Sequence, residues 1–283
     1  METITVDSEL ERAGFVWREG DQGVRALVCA PLEREGFANA FSTRGGGVSP
    51  FPAHALNLAG FDQDAAENIL ENRRRFFRLL GGEWTFSACW QVHGREVRVV
   101  RDARDPQSER EHCDALATVE PGVLLGVKTA DCVPVLLADA RNGACAAVHA
   151  GWRGTLDEIV RHALDSMRVE FGTHARDVRA AIGPAARACC YEVGPEVVEA
   201  FREKFARAAS FFTPTREGHA LADLHRANCE QLIAAGVLAE HVHTLPLCTM
   251  CRPELFFSYR REKKLYGRTG RLLSVIGRRA ENG

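Results

Sequence analysis

Residues Gly122 to Gly154, GVLLGVKTADCVPVLLADARNGACAAVHAGWRG, decide how this chain folds. The stretch holds three apolar runs, Val123–Val127, Cys132–Ala138 and Ala144–Val148, each of strand length. Lys128-Thr129-Ala130-Asp131 turns the chain between the first two runs. Asp139 to Gly143 contains Asn-Gly, the strongest short-range hairpin signal, between the second and third. A hairpin centred near Arg141 sets Cys132 and His149 almost equally far from the turn. Antiparallel pairing then brings a thiol and an imidazole side by side at its open end, next to the glycine-punctuated Gly151-Trp152-Arg153-Gly154.

Outward from the hairpin, the pattern alternates strands and helices. Strands are expected at Val24–Cys29 and Phe37–Phe41 within a β-rich entry over residues 1–40, where Glu33-Arg34-Glu35-Gly36 reads as a turn. Asp64–Leu80 reads as a helix opened by an Asp64-Ala65-Ala66-Glu67 capping box and stopped by Gly81-Gly82. Phe86–Val92 and Glu96–Val100 read as a bent strand, residues 101–113 as an exposed charged loop, and Asp114–Thr118 as the lead into the hairpin. Thr155-Leu156-Asp157-Glu158 reads as a second capping box, opening a helix whose apolar face includes Ile159, Val160, Ala163, Leu164 and Met167. Val178–Ile182 is a buried strand, and Pro195 opens a helix to about Ala209. A helix over Leu221–Ala235 and strands at His241–Leu245 and Leu272–Ile276 complete the pattern. Without repeats, linkers or low-complexity tracts, residues 1–283 read as one compact α/β domain, a short entry (1–40) followed by the motif-bearing core (41–278).

Composition narrows the function classes. The chain is 46% hydrophobic and 26% charged with formal net charge −2, an ordinary globular balance without a field that selects nucleic acid or anionic membrane. No apolar run has the length of a membrane span, and the acidic opening METITVDSELERAGF does not read as a signal peptide. The ten cysteines then fit a reducing cytoplasm, as thiols or metal ligands.

His93, Cys132 and His149 each close an apolar strand beside a glycine or turn. Two imidazoles and a thiolate suit Zn²⁺, and three protein ligands leave its fourth position for water or substrate. The same atoms suit a Cys132 nucleophile with His149 as its base; both readings need a thiolate beside a cation, and spacing does not separate them. Asp131 is a candidate proton carrier or a turn-capping carboxylate. Arg44, in Ser42-Thr43-Arg44-Gly45-Gly46-Gly47, and Arg153 are candidate oxyanion holders, because guanidinium offers phosphate a rigid fork. Cys248-Thr249-Met250-Cys251 is a single CxxC, and Cys189-Cys190 lacks the spacing of a second, so a structural thiol pair is expected. His241 and His243 share a strand face that suggests copper, but a multicopper oxidase needs several such pairs.

Taken in order, Ser42-Thr43-Arg44-Gly45-Gly46, Gln91-Val92-His93-Gly94, Thr129-Ala130-Asp131-Cys132-Val133-Pro134-Val135 and His149-Ala150-Gly151-Trp152-Arg153-Gly154 form a recognisable series. Ile182-Gly183-Pro184, Tyr191-Glu192-Val193-Gly194, Cys248-Thr249 and Phe256-Phe257-Ser258-Tyr259-Arg260-Arg261 continue it. Together they resemble the YfiH-type family, also called the polyphenol oxidase or multicopper laccase-domain family and now described as purine nucleoside phosphorylases. The resemblance runs from about Phe41 to Arg278. It implies an α+β fold of mixed β-sheets sandwiched and flanked by helices, and a zinc site from His93, Cys132 and His149, with copper the alternative metal. It also implies phosphorolysis of adenosine, inosine and methylthioadenosine, with adenosine deamination as a side activity. Its partners would be purine nucleosides and phosphate rather than nucleic acid or membrane, and the chain a monomer or homodimer. A peptidoglycan-editing branch of the family keeps a Cys-dependent hydrolase as the alternative, and a copper-dependent phenol oxidase ranks third. Cys251 departs from the family pattern.

Overall fold

The computed structural model describes residues 6–102 and 110–280. Two six-stranded mixed sheets face each other. The first holds β1 (Phe15–Glu19), β2 (Arg25–Cys29), β3 (Phe37–Ser42), β15 (Leu272–Arg278), β7 (Val123–Thr129) and β4 (Thr85–Ser87), in that spatial order. The second runs β14 (Val242–Thr244), β10 (Val178–Ile182), β8 (Val133–Asp139), β9 (Cys145–Ala150), β6 (Ala115–Thr118) and β5 (Val97–Val99). A small third sheet joins β11 (Glu192–Val193), β13 (Ala220–Ala222) and β12 (Phe212–Pro214). The helices are α1 (Val6–Arg12), α2 (Ala30–Arg34), α3 (Ala66–Leu80), α4 (Trp152–Leu156), α5 (Ile159–Phe171), α6 (Pro195–Lys204), α7 (Leu224–Ala234) and α8 (Tyr259–Tyr266).

Strand periodicity explains the layers. Along β8, Val133, Val135 and Leu137 pack with the α5–α7 side, whereas Leu136 and Ala138 enter the layer between the sheets. Along β9, Ala146, Val148 and Ala150 face the helices and Cys145 and Ala147 face inward. Both faces of each strand are buried, so the sequence shows continuous apolar runs rather than visible alternation. The first sheet does the same: Leu125 and Val127 of β7 join the inner layer, and Leu124 packs outward with Phe76 and Leu80 of α3. This is the α+β sandwich of mixed sheets that the resemblance implied. Among the described residues, no helix is long and apolar enough to cross a membrane.

Several boundaries differ from the sequence reading for physical reasons. The entry is not purely β: α1 and α2 occupy it, and α2 takes in Glu33 and Arg34 before the expected turn closes at Glu35-Gly36, with Pro31 in the helix's first turn where a missing N–H costs little. Neither capping box forms. Asp64 accepts from Ser49 Oγ, the Ala65 N–H and Asn68 Nδ2, and α3 starts at Ala66 without a side-chain cap. Thr155 lies inside α4, where its hydroxyl accepts from Asn228 Nδ2. The following helix begins only at Ile159, after Glu158 takes a left-handed conformation (φ 59°). The strand expected over Phe86–Val92 ends at Ser87, and the helix from Pro195 ends at Lys204. The helix expected from Leu221 starts at Leu224, capped by Asp223, because residues 220–222 pair as β13. Of the expected 101–113 loop, residues 103–109 lie outside the described residues.

Candidate metal centre

The chain leaves the first sheet at Thr129 and enters the second at Val133, so Ala130-Asp131-Cys132 carries it across the sandwich. The β8–β9 ladder pairs Pro134 with His149 and Val133 with Ala150. Continued by one step, that register puts Cys132 opposite Gly151 and diagonal to His149, two residues off the side-by-side placement expected from the sequence. Alternation keeps Cys132, Pro134 and His149 on the inward face, so the apolar layer between the sheets ends in a thiol and an imidazole. His93 approaches from the loop after β4. A Cβ added to Gly151 would lie 3.0 Å from His93 Cδ2 and 3.2 Å from Cys132 Sγ, so only a glycine lets the three groups close without displacement.

The loop bearing His93 is shaped by Asp114, a residue the sequence reading passed over as the start of a strand. Asp114 is fully buried. Its Oδ2 accepts the backbone N–H groups of Val92 (3.2 Å) and Gly94 (2.6 Å). Its Oδ1 accepts from the His93 N–H (3.0 Å) and faces His149 Nδ1 at 2.7 Å. Burial opposes the charge on Asp114, but His149 and these N–H groups hold its carboxyl below the usual carboxylate range. The contact fixes the proton of His149 on Nδ1 and leaves Nε2 for Cys132 or a metal. His93 itself sits at φ 62°, a left-handed conformation uncommon outside glycine, held there by the loop's bonds to Asp114.

The His93 and His149 rings meet edge to face at 4.8 Å between centroids. The donor atoms of His93, Cys132 and His149 lie within 4.8 Å of one another. Burial pushes the Cys132 thiol up, yet the charge and hydrogen bonds of His149, with those of His93, bring it down to about 6. Burial lowers His149, and the Cys132 thiolate and Asp114 raise it to about 9. A thiolate held between two imidazoles, one oriented by a carboxylate, is the donor set and outer support that Zn²⁺ takes in a three-ligand site. The residues therefore fit a metal at this position.

The other sequence candidates are placed differently. Asp131 (φ 91°) commits its carboxylate to other partners: Oδ1 accepts from Thr249 Oγ1 at 2.6 Å, and Oδ2 from Ser258 Oγ at 3.0 Å and the Arg260 N–H at 2.7 Å. These contacts tie the Thr249 and Ser258–Arg260 segments to the residue before Cys132. Arg44 is also committed: its Nη1 donates to Pro253 O (2.7 Å), Phe256 O (3.2 Å) and Glu262 Oε1 (2.7 Å), over the Phe257 ring. It does not line the cavity at His93, where its phosphate contact was expected. Arg44→Met is expected to lower stability by about 3 kcal/mol, since it strands the buried Glu262, while leaving KM for phosphate unchanged. Thermal unfolding beside phosphate-dependent kinetics checks this. Arg153 is exposed, with its guanidinium over Trp152, and also lies outside the cavity lining.

The cavity has a volume of about 470 Å³ and is bounded by His93, Cys132 and His149. Its other walls include Lys128, Arg271, Asp62, Gln91, Trp90 and Tyr259. Gln91 is structural, because its amide exchanges two hydrogen bonds with the Lys128 backbone (2.7 and 2.8 Å) and ties the His93 loop to β7. Lys128 and Arg271 are the cavity's cationic side chains, in place of Arg44 and Arg153. Lys128 had a signal, a charge at the end of an apolar strand beside the turn. Arg271 had none, being 139 residues from Cys132 and brought there by β15 pairing with β7.

His241 and His243 join no metal-competent group among the described residues. The CxxC expectation is corrected: Cys248 and Cys251 gather with Cys189 and Cys190, all four sulfurs within 4.8 Å of one another.

Fold and site together define a recognisable class. Residues 38–279 match the family described as multi-copper polyphenol oxidoreductase laccase, and the chain belongs to that family. It is 35% identical to the purine nucleoside phosphorylase YlmD of Geobacillus stearothermophilus, over 90% of this chain and 95% of that protein. It is 40% identical to a purine nucleoside phosphorylase of Deinococcus radiodurans, over 84% of this chain and 88% of that protein. The crystal structure of the Geobacillus YlmD superposes with a TM-score of 0.84 at 34% identity, covering 94% of this chain and all of that one. A Bacillus licheniformis hypothetical protein YfiH superposes at 0.82 with 30% identity, covering 89% and 96%.

Proposed function

We propose that the chain is a zinc-dependent purine nucleoside phosphorylase of the cytoplasm, acting on adenosine, inosine and methylthioadenosine, with adenosine deamination as a side reaction. The observation that carries this reading is one cavity in which His93, Cys132 and His149 stand beside Lys128 and Arg271. The names of the relatives point the same way. Bound by the three side chains, Zn²⁺ would supply Lewis acidity and one open coordination position. A multi-copper oxidase needs several copper centres, whereas only one histidine-containing group exists among the described residues.

Phosphorolysis breaks the C1′–N9 bond, forms a C1′–O bond to phosphate and returns the base protonated. Charge passes to the base as the bond breaks, while the ribose becomes cationic. Lys128 and Arg271 hold the phosphate dianion near that cationic carbon, and cavity walls that exclude water strengthen both contacts. Trp90 and Tyr259, 50% and 48% exposed, offer aromatic faces on which a purine can stack at the cavity mouth. Asp114 keeps its negative charge behind His149, so that ring holds its orientation through the reaction.

The test supplies adenosine with and without phosphate and separates adenine from inosine. Adenine formed only with phosphate is the expected result; neither product at any phosphate concentration sinks the reading. Lys128→Met is expected to raise KM for phosphate about tenfold or more, the loss of one charge-assisted contact, and to move KM for adenosine much less.

A further inference from the structure

The four cysteines outside the cavity form a second constellation, which the established family relationship leaves without a role. Cys189 and Cys190 lie in the turn between β10 and β11, and Cys248 and Cys251 in the turn after β14. Some 58 residues separate the pairs, and the fold brings them together. Cys251 Sγ is 3.0 Å from Cys190 Sγ and 3.6 Å from Cys189 Sγ. We propose that Cys189, Cys190, Cys248 and Cys251 form a structural tetrathiolate Zn²⁺ site that staples these two turns together.

The dimensions suit a metal. Zn–S bonds of about 2.3 Å in a tetrahedron set sulfur–sulfur edges of about 3.8 Å, inside the span here, from 3.0 Å to no more than 4.8 Å. A disulfide needs about 2.05 Å and joins only two of the four, leaving a second pair in contact with it. A reduced cluster without a metal would place two exposed thiols, Cys189 and Cys251, at the surface beside two more. Four thiolates around one cation satisfy every sulfur at once.

The backbone is already arranged for it. The Thr249 N–H donates to Ala185 O at 3.0 Å, and Ala185 and Cys248 form a parallel bridge that docks one turn on the other. Within each turn, the N–H groups of Cys190 and Tyr191 return to Arg187 O (both 2.9 Å), and the Arg252 N–H to Cys248 O (3.1 Å). These bonds curl each pair of cysteines towards the other pair, as zinc knuckles do. Arg252, next to Cys251, offsets part of the negative charge that four thiolates leave on a divalent ion.

The position gives the staple a purpose. Thr249, inside the Cys248–Cys251 turn, donates to Asp131, and Asp131 precedes Cys132 in the sandwich crossing. Locking the turn fixes Thr249, hence Asp131, hence the backbone from which the Cys132 sulfur projects. The second metal would act on the first site through this path without touching substrate.

The experiment reads metal, not turnover, so its result stands whatever becomes of the phosphorylase reading. Full-length His149→Ala protein, impaired at the cavity site, is purified under reducing conditions and its zinc measured, then exchanged for cobalt. The expected result is about one zinc per chain and an intense thiolate-to-cobalt charge-transfer band. Adding Cys189→Ser and Cys251→Ser should remove both. Unmutated protein should hold about two zinc ions per chain and melt at lower temperature once chelated, which covers a cysteine variant that does not fold. No zinc in the His149→Ala protein, or a cobalt spectrum unchanged by the two serines, overturns the proposal. So does a mass lower by about 2 Da in metal-free protein, the mark of a disulfide at this cluster.

Discussion

Cys132→Ser is expected to abolish phosphorolysis, by about 10³-fold or more, and to release the metal of the cavity site. A serine hydroxyl does not ionise near neutral pH, so the variant loses the anionic, soft donor and keeps only the two imidazoles. Losing a direct ligand should cost more than the 10–100-fold typical of an outer support. The fold should survive, because Cys132 sits at the end of the apolar layer and serine is close to its size. Equilibrium zinc affinity and a phosphate-dependent assay on one preparation check both expectations. A variant that lost the metal but kept phosphorolysis would remove zinc from the proposed reaction.

The same residue separates the rival chemistry. Cys132, His149 and Asp114 also have the order of a thiol–imidazole–carboxylate triad, the arrangement of a cysteine hydrolase acting on a peptidoglycan precursor. His93 is what that reading leaves unused. Its imidazole lies beside the same sulfur, edge to face with the His149 ring, and a triad has no use for a second imidazole there. A nucleophilic Cys132 would be alkylated rapidly in protein as purified and would carry a covalent intermediate. A ligand Cys132 should resist alkylation until a chelator is added. Alkylation at equal rates with and without chelator would favour the hydrolase.

Local patterns in the sequence were reliable where the fold used them locally. The β8–β9 hairpin, β10 and α3 read correctly because apolar runs, Asn-Gly and Gly81 act within a few residues of themselves. Cys132 and His149 were legible because a polar residue closing a buried strand stands out. Asp114 was not: its partners lie 20 to 35 residues away, and it reads as an unremarked strand entry. The overlong strand Phe86–Val92 is the same failure, since residues 92–94 leave the sheet to wrap that carboxylate. The α8 helix was missed because its charged surface buries only Glu262, whose partners, Arg44 and Thr269, include one 218 residues distant. Arg44 looked free for the same reason. Spacing likewise hid the four cysteines, whose turns the fold docks on each other at the Ala185–Cys248 bridge.

Asp114→Asn is expected to weaken zinc at the cavity site by 10–100-fold, with kcat/KM falling in step at limiting metal. Asparagine keeps the shape and one acceptor but replaces the other oxygen with a donor. If its NH₂ faces the Val92 and Gly94 N–H groups, donor meets donor and the His93 loop loses its anchor. If it faces His149 Nδ1, that nitrogen must become an acceptor. The proton then moves to Nε2, which can no longer bind a metal. Neither orientation restores both contacts, so the variant should also lose about 1–3 kcal/mol of stability, a fall of several degrees in Tm. Excess zinc distinguishes positioning from ligation. It should restore much of the activity of Asp114→Asn, whose ligands are all present, and none of that of His149→Ala. Wild-type zinc affinity in the Asn variant would show that the carboxylate neither sets the His149 tautomer nor holds the His93 loop.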